Sequence, residues 1–273
     1  MPEHSAVLSE DTILGGRVRL RQSCRGGRVC LDTVLLAAAV PARAGERVIE
    51  AGCGAGGAAL AIAARCPETL VTGVERQEEL VRLMAENAAL NTVADRVKVH
   101  QGDIASKSLA LGCGCFHHAL ANPPYHRADR TVPSPSKERA RAYVGGAARL
   151  ADWVDFCLDR IRDRGTVTFI HRADRLDTLL ACLKPAAGDI AICPLWPRAG
   201  LPAKRIIVQA RKGMKGGAML FPGLCLHDAA GGFTPQVEAI LRLGAPLDLS
   251  RAAFCRLAKS RGNESLAASS SGP

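Results

Sequence analysis

The sequence predicts an α/β fold built on a doubly wound, mostly parallel sheet. Three observations carry that expectation. From Arg47 onward, short apolar runs alternate with amphipathic stretches, the pattern of strands joined by crossover helices. The first run ends in a glycine-rich turn, Glu50-Ala51-Gly52-Cys53-Gly54-Ala55-Gly56, which opens an Ala-rich helix. Polar residues recur at the ends of successive runs, at Glu50, Glu75, Asp103 and Asn122. Ligands of open α/β sheets bind at that edge.

The elements follow in order. Residues 1–12 are expected to fray. Ile13–Gln22 alternates loosely, with Val18 and Leu20 against Arg17, Arg19 and Arg21, as a strand does. Gly26-Gly27 reads as a turn, with Arg28–Leu31 as its hairpin partner. Asp32 or Thr33 can cap a helix that runs to Val40, and Pro41 stops it. Seven core strands are expected at Arg47–Glu50, Leu70–Glu75, Val97–His100, His118–Ala121, Gly165–His171, Ile190–Pro194 and Arg205–Ala210. Helices are expected at Ala58–Arg65, Gln77–Asn91, Trp153–Arg162 and Leu176–Leu183. In the second, Leu80, Leu83, Met84 and Asn87 fall at helical spacing. The chain thus divides into an extension of hairpin plus helix (1–44), a main domain (45–242) and a tail (243–273) whose Ser/Gly/Pro-rich end is expected to be disordered.

Composition narrows the partners. With 273 residues, 48% of them apolar, the chain can bury a sizeable core. A formal charge of +10 points to a polyanion such as RNA or DNA. A basic surface kept for solubility is the plain alternative, and the excess of Arg over Lys also fits a biased nucleotide composition. Met1–Gly16 has no apolar signal core and Val34–Val40 is too short to span a bilayer, so a cytoplasmic protein with no membrane partner is expected. Its 11 cysteines are then reduced thiols. Cys113-Gly114-Cys115 with His117 and His118 is the nearest approach to a metal motif. It lacks a second spaced pair, and no metal is expected. A monomer is the default.

Glycines in the turn let the backbone bend sharply and let a ligand approach without a Cβ in the way. The spacing of Gly52, Gly54 and Gly56 nearly satisfies a dinucleotide pattern as well. Glu50 separates the two readings, because a carboxylate at the strand end would repel a pyrophosphate and suits a cationic group, such as the amine of a methionine moiety. Glu75 lies about 20 residues beyond the glycines, the separation expected of a ribose-binding acid. Asp103 can accept from an adenine amine, or cap its own turn.

Asn122-Pro123-Pro124-Tyr125 follows the fourth core strand at the same edge. Methylating an exocyclic amine or amide needs a lone pair that is delocalised into a ring or carbonyl. The Asn122 side-chain oxygen and the Pro123 carbonyl can accept the two N–H groups and return density to nitrogen. The prolines stiffen the turn and remove competing donors. Tyr125 offers a π face for a planar base. A Pro-rich turn with no chemistry is the alternative.

These residues resemble the motifs of class I N-methyltransferases, whose fold is Rossmann-like and whose cofactor is S-adenosylmethionine. The wider chain, from about Asp11 to Arg242, resembles the bacterial tRNA (adenine-N6) methyltransferases that modify the adenine 3′ of the anticodon in a valine tRNA. Leu31–Ala37, Leu195–Gly200 and Ala203-Lys204-Arg205 carry that likeness. It implies that Gly52 and Gly54 contact the cofactor, Glu75 its ribose, Asp103 its adenine and Asn122 the target amine. The family often has an acid near His117, which this chain lacks. Rival substrates are a release-factor glutamine or DNA. The first usually needs a separate helical N-terminal domain, and only roughly 45 residues precede the first core strand. A non-catalytic RNA-binding protein of the same fold is a further alternative. Arg127 and Arg130, together with Lys137, Arg139 and Arg141, form one candidate RNA-contacting cluster. Arg198, Lys204, Arg205, Arg211, Lys212 and Lys215 form a second.

Overall fold

The alternation of apolar runs and helices from Arg47 onward folds into one sheet. The computed structural model describes residues 8–24, 29–106, 109, 111–124 and 149–257. After a hairpin of β1 (Leu8–Ile13) and β2 (Val18–Ser23) come α1 (Leu31–Ala39), β3 (Arg47–Ala51), α2 (Gly57–Arg65), β4 (Leu70–Glu75), α3 (Glu78–Leu90), β5 (Val97–Gln101) and β6 (Phe116–Ala121). The second half holds α4 (Leu150–Arg160), β7 (Ile161–Arg172), α5 (Leu176–Leu183), β8 (Ala187–Trp196), β9 (Arg205–Lys212), β10 (Ala218–Leu220), β11 (Leu224–Cys225) and α6 (Pro235–Leu243).

The strand order is β10-β8-β9-β7-β6-β3-β4-β5, with β11 also paired to β8. Only β9 runs antiparallel to its neighbours. The seven expected core strands are all in this sheet. The short β10 and β11 extend it beyond seven, and Phe221, Pro222 and Gly223 separate them.

Period-two alternation assigns the two faces. Val48, Leu120, Ile170, Cys193 and Ile207 look toward α1, α2, α3 and α6. Ile49, Ala121, Phe169, Ile192 and Val208 look toward α4 and α5. Helices therefore cover both sides, which is why the strands read as nearly continuous apolar runs. Arg65 binds the end of α1 to α2, its Nη2 donating to the carbonyls of Ala37 at 3.0 Å and Val40 at 2.6 Å. Ala37 O also accepts from Val40 N at 3.3 Å, so Arg65 adds a second donor there and supplies one to Val40 O just past the helix.

The N-terminal hairpin is displaced from its expected place. Of the stretch expected to fray, Leu8 onward proves to be β1, which pairs with β2 across a turn at residues 14–17. Gly26, Gly27 and Arg28 lie outside the described residues, and Leu31 already starts α1. Glu10 and Asp11 explain the pairing. Glu10 accepts from Arg19 Nη2 at 2.7 Å, and Asp11 accepts from Gln22 Nε2 at 2.7 Å. Charged residues on an alternating strand read as loop when partners across the hairpin are unknown.

The hairpin joins the body through two asparagines one turn apart on the face of α3 and its end. Asn87 Oδ1 accepts from Arg21 N at 2.8 Å, while its Nδ2 donates to Arg21 O at 2.9 Å and to Ala55 O at 3.0 Å. Asn91 repeats the pattern on Arg19, accepting at 2.9 Å and donating at 2.7 Å. An amide has the donor and acceptor of a peptide group, so the two side chains act as the missing strand beside β2. Residues i and i+4 on a helix rise ~6 Å, close to the ~6.8 Å between alternate residues of a strand, so the two repeats match.

The chain past Arg242 was expected as a tail. It stays on the body: Leu247 and Leu249 are buried, and Leu247 N donates to Ala38 O at 2.9 Å. Residues 251–257 are helical, and residues 258–273 lie outside the described ones. Among the described residues, no helix is long and apolar enough to cross a membrane.

Asn87 is fully buried and Asn91 is half exposed. Asn87→Ala is expected to destabilise the protein by about 2–4 kcal/mol, because it leaves buried partners unpaired, and Asn91→Ala by about 1 kcal/mol or less. Urea unfolding of both variants checks this, and equal losses would show that the hairpin is not held in this way.

Candidate active site

Strand β3 is the pivot of the sheet. On one side Glu50 lies beside Gly73 of β4, and on the other beside Leu120 of β6. The chain builds outward from β3 through β4 to β5 and then crosses back to β6, so the winding reverses at the gap between β3 and β6. Open α/β sheets bind ligands at such a reversal.

The turn after β3 has three residues in the left-handed region, Gly52 at φ 63°, Gly54 at 55° and Gly56 at 89°. The reasons for glycine differ. A Cβ on Gly52 would lie 2.5 Å from the Trp153 ring, and one on Gly56 would lie 2.7 Å from Met84 Cγ. Those two are packing constraints. A Cβ on Gly54 would meet nothing within 4 Å, so this segment of backbone faces open space.

Carboxylates hold the turn. Glu75 Oε2 accepts from Gly54 N at 3.0 Å, and its Oε1 accepts from the amides of Arg76 at 2.8 Å and Gln77 at 2.9 Å. Glu50 Oε2 accepts from Ala59 N at 2.9 Å. That amide is one of the donors left open at the start of α2, and Gly56 has no side chain with which to cap it. Glu50 is 5% exposed, and burial pushes its pKa up to about 8 against the pull of the Ala59 amide, with the charge of Glu75 adding to the rise. Burial, then the same two carboxylates, raise the Cys53 thiol well above its ordinary value, which leaves it unreactive. A cation placed beside Glu50 and Glu75 would relieve this accumulation of negative charge.

Asp103 follows β5 at the same edge. Its Oδ1 accepts from Ala105 N at 2.9 Å, so it caps its own turn, and its Oδ2 lies 3.8 Å from Arg76 Nη1. Asn122, half-buried, Pro123, buried, and Pro124, exposed, leave β6 one strand from the glycine turn. The structure thus brings Glu50, Gly52, Gly54, Gly56, Glu75, Asp103, Asn122, Pro123 and Pro124 to one edge. Tyr125, Arg127 and Arg130 lie outside the described residues, as do Lys137, Arg139 and Arg141.

Sequence reading missed Trp153. It stands at the start of an expected helix, Trp153–Arg162, and α4 does bury one face, with Val154, Phe156, Cys157 and Leu158. Yet its ring fills the space over Gly52, and its buried Nε1 has no hydrogen-bond partner among the described residues. The usable signal was the pairing of a Cβ-free residue with a large aromatic, but nothing in one sequence links positions 52 and 153.

The second basic cluster divides. Arg205 opens β9 at the site edge with Lys204 just before it, and Arg198 follows β8 there. Because β9 is antiparallel, Arg211, Lys212 and Lys215 fall at the opposite edge. There Lys212 Nζ donates to Leu158 O at 2.8 Å and Ile161 O at 3.0 Å. Arg205 Nε pairs with Asp32 Oδ2 at 3.1 Å. His117 and His118 begin β6 and lie far from the site. His118 Nε2 meets Glu46 Oε2 at 2.8 Å, and its Nδ1 meets Thr166 Oγ1 at 2.6 Å. Cys113 Sγ accepts from Arg160 Nη1 at 3.3 Å.

The chain matches the model of the methyltransferase small domain over residues 26–138. It is 28% identical over 217 residues to the tRNA1(Val) (adenine(37)-N6)-methyltransferase of Actinobacillus succinogenes, covering 79% of this chain and 89% of that one. The Yersinia enterocolitica protein of the same name is 27% identical over 220 residues, covering 78% and 84%. Among solved structures, a predicted O-methyltransferase from Agrobacterium tumefaciens superposes with a TM-score of 0.68 at 25% identity, covering 81% of this chain and 99% of its own. Fold, matched domain and relatives are all similar to class I methyltransferases, an enzyme class that uses S-adenosylmethionine.

His171, near the end of β7, accepts from Arg172 N at 2.7 Å. Burial, then Arg175, Arg172 and Arg205, push its pKa down from 6.5 to about 4. The folded state therefore refuses a proton that the unfolded chain takes up. Stability is intact above 6.5 and falls as the pH drops toward 4, by roughly 3 kcal/mol across the window. Urea unfolding at pH 7 and pH 5 should show His171→Gln losing less stability than the native protein. An identical loss in both would place the proton elsewhere.

Proposed function

We propose that this chain transfers a methyl group from S-adenosylmethionine to the N6 amine of an adenine in tRNA. One observation carries the reading: an Asn-Pro-Pro turn leaves β6 next to a glycine turn on β3 that is framed by two carboxylates, at the point where the sheet reverses its winding. The names of the Actinobacillus and Yersinia relatives support the substrate, and so does the charge of +10.

The residues present fit the cofactor. Gly54 exposes backbone to open space. Glu50 engages only Oε2 among the described residues, which leaves Oε1 for a cationic amine. Glu75 is held in place by three backbone amides, ready for ribose hydroxyls. S-adenosylmethionine, when bound, supplies an electrophilic methyl group on a sulfonium. The Asn122 side-chain oxygen and the Pro123 carbonyl accept the two N–H groups of the target amine and draw density onto nitrogen as it becomes tetrahedral. Tyr125 stacks on the base. The proton leaves after attack, so no strong base is required. An oxygen acceptor would need such a base, and the Asn-Pro-Pro turn provides none.

Glu50 links binding to pH. A cationic amine favours its ionised form, so binding at pH 7 is expected to release a proton, and affinity is expected to rise from pH 6 to about 8. Calorimetry in two buffers of different protonation heat measures the release, and Glu50→Gln should abolish it. Tight binding of NAD, with none of S-adenosylmethionine, would sink the cofactor assignment.

Asn122→Ala should lower kcat by about 10²–10³ and leave cofactor affinity within a few fold. The substrate is decided by incubating the protein and labelled cofactor with unmodified tRNA or with a release factor, followed by nucleoside mass spectrometry. N6-methyladenine in the tRNA is expected, whereas label in the release factor alone would reassign the substrate and leave the chemistry standing.

A further inference from the structure

The carboxyl edge of the sheet carries an open groove of about 630 Å³ at the end of β8. Trp196, Leu201, Pro202, Pro222, Gly223 and Cys225 line it. The groove is built rather than incidental. Trp196 Nε1 donates to Pro222 O at 3.0 Å, which fixes the indole. Gly223, at φ 87°, lets the next strand approach so closely that a Cβ there would lie 2.5 Å from Trp196 Nε1. Leu201 is 49% exposed, and Pro202 is exposed beside it. Nothing described covers these apolar side chains.

Its rim is cationic. Arg198 and Lys204 flank the loop that forms one wall; both are exposed, and neither has a carboxylate partner among the described residues. The contrast with Arg205, one residue on and paired to Asp32, is informative. Two unneutralised cations beside an indole and an exposed leucine suit a ligand that is planar and apolar in one part and anionic in another. A nucleotide has that form, and the volume falls within the range of small-ligand sites, about 300–1,000 Å³.

Position selects among nucleotides. Trp196 ends β8, and Asn122 follows β6 at the same edge, with β7 and β9 between them. Three strand spacings of ~4.8 Å separate them by about 14 Å. That is about four stacked-base rises of ~3.4 Å, so an occupant reaches this groove from the same RNA loop as the target without being its stacked neighbour.

We propose that this groove holds a second base of the substrate RNA, stacked on Trp196, with Arg198 and Lys204 on its phosphates. The inference rests on the reading that the substrate is RNA. It makes the end of β8 a subsite that fixes which nucleotide enters the Asn122 site.

The test scans abasic positions through the loop of a stem-loop RNA and measures kcat and KM. In the native protein one abasic position, other than the target, should raise KM about tenfold, with kcat within twofold. Trp196→Ala should raise KM equally on intact RNA and add nothing on that abasic RNA. Leu201→Asp, a surface change, repeats the cycle if Trp196→Ala is unfolded by circular dichroism. Lys204→Gln should reduce the slope of log affinity against log salt by about 0.7–0.9. Losses that simply add, or an unchanged KM in both variants while RNA is still methylated, overturn this subsite alone. A native protein that methylates no RNA overturns the reading beneath it as well.

Discussion

Two carboxylates bonded to backbone amides keep the turn after β3 open. Three left-handed glycines in five residues are costly to order, and a free turn of that kind would sample many shapes. Glu75 holds it from β4 through Gly54, and Glu50 holds the start of α2 through Ala59. Asn87 adds a bond to Ala55 from α3. The turn is thereby fixed to three elements that have no other reason to agree. Making these bonds buries Glu50 beside the charge of Glu75, and that burial outweighs the pull of the Ala59 amide, so the high pKa of Glu50 is the cost. A turn that needs only to reverse the chain has no use for that cost, whereas one that receives a cation does.

The hairpin is integral to this arrangement. Asn87 touches both β2 and the glycine turn, so the N-terminal residues help to hold the turn from outside. On the other side of the site, Arg205 joins the start of β9 to the first turn of α1. The site edge is thus supported by segments from both ends of the chain, including residues near Leu247 that pack on α1.

What was legible in the sequence follows from the range of each signal. Strand and helix identity from β3 to β9 is local, set by apolar periodicity over a few residues, and it was readable. So was the joint placement of Glu50, Glu75 and Asn122, because parallel strands put all their carboxyl ends at one edge. The β1–β2 pairing was misplaced because its polar strand is stabilised by Glu10 and Asp11 reaching across to Arg19 and Gln22. The division of the basic cluster needed the direction of β9, which composition does not reveal. Helix α6 was missed although its marks are present: Pro235 in its first turn, Val237 and Ile240 buried, and Gly244 in the left-handed region just past its end.

The interruption between β10 and β11 has a consequence for life at high concentration. An exposed strand edge is a template on which another chain can add and aggregation can start. Here the last pairing positions beyond β8 are split into runs of three and two residues, with Pro222 and Gly223 between them. Proline lacks the N–H that a docking strand would need. At the far side, β5 ends the sheet with Lys98 and His100 among mostly exposed positions. Both margins are therefore poor nuclei for fibril growth, so the large apolar interior of this sheet can be made in the cell without offering neighbouring copies a strand to join.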